Sequence, residues 1–172
     1  MRREETAVQP EDKMIDRLLA ILSGSETPDL EKSTDDLKFS VAALLIEAAH
    51  MDSNFDIDER ATIERLLAEK FDLAPAAVRS LLEAAERKVQ HSAQYFPFTR
   101  EICKRLSAEE RVEIIEMLWK VAYSDGIIDP YEDTLLRQIA GLIHVPDRER
   151  GLARQRALKE LAATRGLAGK AK

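Results

Sequence analysis

Residues Glu116 to Glu132 read EMLWKVAYSDGIIDPYE. The stretch joins an apolar helical stripe, Ile115, Leu118, Trp119 and Ala122, to an acidic turn and a new helix start. Asp125-Gly126 is turn chemistry, because glycine takes positive φ without steric cost. Asp129-Pro130-Tyr131-Glu132 then supplies an N-cap acid, a proline at the first helical position and an acid at the third. A related passage lies upstream at Ala48 to Glu59, AAHMDSNFDIDE.

A shift of 73 positions superposes the two passages without a gap. Val41, Ala42, Leu45 and Ala49 fall on Ile114, Ile115, Leu118 and Ala122. Asp52, Asp56 and Glu59 fall on Asp125, Asp129 and Glu132, and Ile63 and Leu66 then meet Leu136 and Ile139. Matching apolar stripes on both sides of a matching acidic turn predict two similar helix-turn-helix units, related by an approximate two-fold axis.

The rest of the chain agrees with a helical fold. Among 172 residues there are six glycines, six prolines and 5% aromatics, few of the signals of a sheet protein, against abundant Ala, Leu, Glu and Arg. Met14, Leu18, Leu19 and Leu22 form a first amphipathic helix before a Ser-Gly-Ser linker. Ser33-Thr34-Asp35-Asp36 offers N-cap chemistry for a helix running to about His50. Pro75 opens a helix carrying Val78, Leu82, Ala85 and Val89, and Pro97 opens a short one through Ile102. The aromatic connector Gln94 to Phe98 is expected to pack into the core. Ser107-Ala108-Glu109-Glu110 is a capping box for the long helix that leads into the second acidic turn. The expected fold is all-α, a compact bundle of about seven or eight helices. Its expected divisions are an N-terminal helix and linker (1–32), a central helical domain (33–146), and a basic C-terminal helix with a frayed tail (147–172).

Charge and cysteine content limit the function. From Arg148 onward eight Lys/Arg face two acids, so this segment carries +6 in a chain of net charge −6, and residues 1–147 carry −12. An acidic body argues against binding nucleic acid through its phosphates and favours cations or basic partners. The basic segment, with Arg148, Arg150, Arg154, Arg156 and Lys159, is either a solvated helix face or a means of docking on a neighbouring copy to give a homo-oligomer. Cys103 is the single cysteine, which excludes an internal disulfide and suits the cytoplasm. The start of the chain has no apolar signal core, and no stretch is long and apolar enough for membrane insertion.

The repeated acids admit two readings. Three carboxylates in D-x-x-x-D-x-x-E spacing could converge as hard oxygen ligands for a divalent cation, calcium first. Equally, Asp56/Glu59 and Asp129/Glu132 serve as helix starts, an N-cap being worth ~0.5–2 kcal/mol, which leaves Asp52 and Asp125 without a structural role. An EF-hand fits neither turn: the first has Ile57 at the glycine position and Ile63 in place of the final glutamate. Glu47-Ala48-Ala49-His50 is an E-x-x-H unit of the di-iron type, but the repeat-related positions are Lys120 and Tyr123, so a metal-dependent enzyme lacks its second half. No nucleotide loop or nucleophile elbow is present. His50, His91 and His144 fall near helix C-termini, where the dipole favours imidazole, and Cys103 sits on an apolar face.

Three passages, Ala48 to Glu59, YFPFTR at Tyr95 to Arg100, and Glu116 to Glu132, resemble the TerB family of bacterial tellurite-resistance proteins, which is itself similar to the N-terminal domain of the DjlA co-chaperone. The resemblance covers roughly residues 35–145. It implies about seven helices and an acidic face that binds metal ions, in a protein of the tellurite and stress responses. Carried over by position, the implied ligands are Asp52, Asp56, Glu59, Asp125, Asp129 and Glu132. The first turn departs from the family pattern, since Ser53-Asn54 replaces the usual glycine. The chain has no His-Pro-Asp signature, so recruitment of a chaperone ATPase is not expected. The combined expectation is a non-enzymatic protein that binds partners and a cation, with purely structural turns in an interaction module as the alternative.

Overall fold

Proline at the first helical position sets three of the helix starts, at Pro28, Pro75 and Pro130, where the missing N–H is one of the donors a helix leaves unused. The computed structural model describes residues 28–50, 57–89, 96–124 and 130–168, and every regular element among them is helical. In chain order these are α1 Pro28–Ala49, α2 Ile57–Phe71, α3 Pro75–Val89, α4 Phe96–Arg105, α5 Ala108–Ala122, α6 Pro130–Leu142 and α7 Asp147–Ala168. The all-α class and helix number agree with the sequence. The helix expected over Met14 to Leu22 lies outside the described residues.

Two expectations need correction. The helix placed at Ser33 to Asp36 starts five residues earlier, because Pro28 already provides a start and nothing between it and Asp36 breaks a helix. The connector packs only in part: Phe98 is buried and meets Phe39 edge to face at a centroid distance of 6.3 Å, whereas Phe96 is 64% exposed. Gln94 and Tyr95 lie outside the described residues. At about 100° per residue, Phe96 and Phe98 stand about 200° apart around α4, so one turns outward when the other faces the core.

The chain divides into two compact units, Met1–Asp35 and Asp36–Lys172. Of the first, residues 28–35 are described, as the opening turns of α1. The second holds the core and includes α7. Residues 40–49 of α1 are all buried, a run that only a helix covered on every side can have. Around it pack Ile63 and Leu67 of α2, Leu82 of α3, Ile102 of α4, Ile114, Ile115, Leu118 and Trp119 of α5, and Leu136 and Ile139 of α6.

The capping box at α5 forms as expected. The Ser107 N–H donates to Glu110 Oε2 at 2.8 Å and Ser107 Oγ accepts from the Glu110 N–H at 3.2 Å. His144 closes α6 with its backbone rather than its ring. At φ 56° it occupies the left-handed position usual for glycine, and the Val145 N–H reaches back to the Ala140 carbonyl at 2.8 Å.

Among the described residues α5 packs extensively against α7. Ala153 and Ala157 are fully buried, and their small size lets the two backbones approach. Much of the basic charge of α7 turns inward. Arg156 Nε donates to Glu116 Oε2 at 2.6 Å, Arg150 Nη1 lies 3.5 Å from Asp133 Oδ1, and Lys120 bridges Glu116 and Glu160 at 3.3 and 2.6 Å. Arg154 lies over Trp119, 5.0 Å from the ring centroid, and its Nε donates to Tyr123 Oη at 2.7 Å. Three of the five basic residues noted in the sequence therefore serve the fold itself.

Candidate metal centre at the repeat junction

The sequence repeat survives into helix bounds. Shifted by 73, the end of α1 at Ala49 falls on the end of α5 at Ala122, and the start of α2 at Ile57 falls on the start of α6 at Pro130. Residues buried in one copy are buried in the other: Val41 and Ile114, Leu45 and Leu118, Ile63 and Leu136, Leu66 and Ile139. The two acidic turns thus span identical lengths between equivalent helices.

Glu59 and Glu132 are the third residues of α2 and α6 and are 6% and 8% exposed. The fold contains its own control, because α5 also carries a glutamate at its third position. That residue, Glu110, completes an ordinary capping box and is only half-buried. A helix-start role alone therefore leaves a carboxylate near water. Glu59 and Glu132 are instead taken out of water, a cost that the polar or electrostatic interaction each makes within the fold answers.

Both glutamates line one small cavity of about 10 Å³ for the centre of a water, room for roughly one such sphere. The other walls are Ala48, Ala49, Leu118, Val121, Ala122 and Leu136. Three repeat-related pairs, Ala48/Val121, Ala49/Ala122 and Glu59/Glu132, contribute to it, so the cavity lies where the two copies meet. Among the described residues that line it, Glu59 and Glu132 supply the polar side chains, and each takes part in a polar or electrostatic interaction within the fold.

Of the six acids read from the sequence, the structure brings Glu59 and Glu132 together. Asp52, Asp56, Asp125 and Asp129 lie outside the described residues. Among the described residues no group of three or more His, Cys, Asp or Glu is gathered around a common point. Carboxylate oxygens are the donor type that a hard cation takes. Glu59 and Glu132 would supply two of the roughly six to eight oxygens that calcium takes.

Other residues matter that the motif did not mark. Arg154 fixes the end of α5 at Tyr123, two residues before Asp125. Its only sequence signal was the Trp119/Tyr123 pair at helical spacing, which stacks at 5.7 Å. Glu47 is 7% exposed, Oε2 has no hydrogen-bond partner among the described residues, and burial raises its pKa. His50, one turn on, is exposed, so the two halves of the E-x-x-H unit occupy different environments. Cys103 is half-buried, with Sγ 3.5 Å from the Leu142 carbonyl and 4.0 Å from Arg111 Nη1.

The fold and site together define a class: all-helical proteins built on a duplicated helix pair whose two helix starts present acids to one another. Residues 38–155 match the family described as tellurite resistance protein TerB. More than half of the chain is matched, and the chain belongs to the TerB family. No curated protein and no solved structure compared with the chain matches it. No helix among the described residues is long and apolar enough to cross a membrane.

Proposed function

We propose that the protein acts in a tellurite-type stress response in the cytoplasm by binding rather than by catalysis, and that its two acidic turns form one shared divalent-cation site. The observation that carries this reading is the burial of Glu59 and Glu132 in the wall of a single cavity. Two separate turn sites would not require equivalent acids from both copies to line the same space. Asp52, Asp56, Asp125 and Asp129 complete the oxygen shell in this proposal. Calcium is the preferred ion, because every donor is a hard oxygen. Binding rather than catalysis is supported by the separation of Glu47 from His50 and by Lys120 at the position where a second E-x-x-H would begin.

Calorimetric titration of metal-free protein with Ca²⁺, Mg²⁺ and Zn²⁺ tests the reading. The expected result is one calcium per chain, lost in Glu59→Gln and Glu132→Gln alike and weakened in Asp125→Asn. Two independent calcium ions per chain would sink the shared site. No heat at millimolar calcium, with an unchanged melting temperature, would sink cation binding altogether and leave the acids as helix starts.

A further inference from the structure

A second concave feature lies at the other end of α5. Glu109 and Ala122 are separated by about 20 Å along the helix, so this groove is distinct from the cavity between the repeats. It holds about 660 Å³ between the first turns of α5 and the start of α7. Its lining combines the apolar Ala108, Val112 and Pro146 with the acidic Glu109, Glu113 and Glu149. The Glu116–Arg156 ion pair, at 2.6 Å, also belongs to the lining.

The charges of the groove are only partly answered from within the fold. Glu113 pairs with Lys70, and Glu116 with Arg156 and Lys120. Glu109 and Glu149 form no ion pair among the described residues. The Glu109 carboxyl is held below its usual range by its own backbone N–H and the Ser107 hydroxyl. The groove is open along one side. A small molecule is normally enclosed over most of its surface, whereas an open trough between two helices suits a helix laid lengthwise.

We propose that this groove docks a basic amphipathic helix of a partner protein. Its apolar side chains, at helical spacing, seat on Val112 and Pro146, and its Lys or Arg side chains reach Glu109 and Glu149. The interaction is independent of the cation site. Opposite charge speeds association and selects the partner, while the apolar lining supplies the desolvated contact.

The test uses the full chain, isotope-labelled for NMR, and three synthetic helical peptides. One carries Leu on one face and Lys on the other, one replaces every Leu by Ser at the same charge, and one replaces every Lys by Glu. The Leu/Lys peptide is expected to shift resonances in the first turns of α5 and the start of α7. Its affinity is expected to fall about tenfold or more in Glu109→Lys/Glu149→Lys, while the Glu59→Gln variant binds it as the parent does. An unchanged melting temperature in the double charge reversal excludes a folding artefact. Equal binding of the Ser peptide, shifts centred elsewhere, or full affinity in the double variant overturns the proposal. Self-association in the ultracentrifuge that the double variant abolishes also overturns it, because the occupant is then a second copy.

Discussion

Replacing Arg154 by alanine tests whether α7 holds the end of α5 in place. Arg154 makes a charged-donor hydrogen bond to Tyr123 Oη at 2.7 Å and lies 5.0 Å from the Trp119 ring centroid and 5.9 Å from that of Tyr123. A hydrogen bond from a charged donor contributes ~1.5–3 kcal/mol and a cation–π contact at an exposed site ~0.5–1 kcal/mol. Arg154 is itself exposed on its outer side, so the lower end applies, and the expected loss is about 2 kcal/mol. For a domain of this size that lowers Tm by roughly 4–8 °C. Urea denaturation of Arg154→Ala, Tyr123→Phe and the double variant isolates the pair, with an expected coupling of about 1 kcal/mol. Arg154→Lys keeps the charge but loses the planar stacking and should fall between parent and alanine. Because Tyr123 leads directly to the second acidic turn, the alanine variant should also show a smaller calcium-induced rise in Tm. A stability within ~0.5 kcal/mol of the parent, or no measurable coupling, would refute this account of the α5–α7 contact.

Two further substitutions probe the buried acids and the cavity. Glu47 ionises at its ordinary value of 4.5 in the unfolded chain and higher in the folded one. Between those values the folded state keeps a proton that the unfolded state has lost, so this group lowers stability as pH rises through that window. Glu47→Gln should therefore melt above the parent at neutral pH and match it below about pH 4; a gap that persists unchanged in acid contradicts this. Ala122→Leu adds three carbons to a wall facing space for one water-sized sphere. It should cost ~1–3 kcal/mol through overpacking and remove the calorimetric calcium signal with every carboxylate still present. A stable variant that binds calcium like the parent would show that the ion lies elsewhere.

The sequence made the second half of the fold especially legible, because its signals are local. Ser107 and Glu110 satisfy one another's backbone within a single turn, and Pro75 and Pro130 open helices by their own geometry. The repeat offset was also readable, and it reproduces the helix ends on both sides of both turns. The start of α1 was misplaced because Thr34, Asp35 and Asp36 have cap-forming side chains whether or not a helix begins at them; the proline upstream prevailed. The burial of Glu59 and Glu132 was not readable at all. A glutamate at the third helical position looks the same in sequence when it caps its own helix, as Glu110 does, and when it turns toward another element. Only the surroundings distinguish the cases: Glu59 and Glu132, 73 positions apart in the chain, line one cavity together with residues of α1 and α5. The role of Arg154 was hidden for the same reason.

The cavity at the repeat junction constrains how the two halves of the molecule can change. Where both copies share a wall, as with Ala49 and Ala122 or Glu59 and Glu132, a larger or differently charged residue in one copy immediately alters the surroundings of its counterpart, so the two positions are tied to each other. Where the copies face different neighbours that tie is absent. Glu47 and Lys120 occupy equivalent places in the repeat yet carry opposite charge, one buried and the other pairing with Glu116 of its own helix and Glu160 of α7. The two repeats thus share one cavity wall while their other faces meet different surroundings.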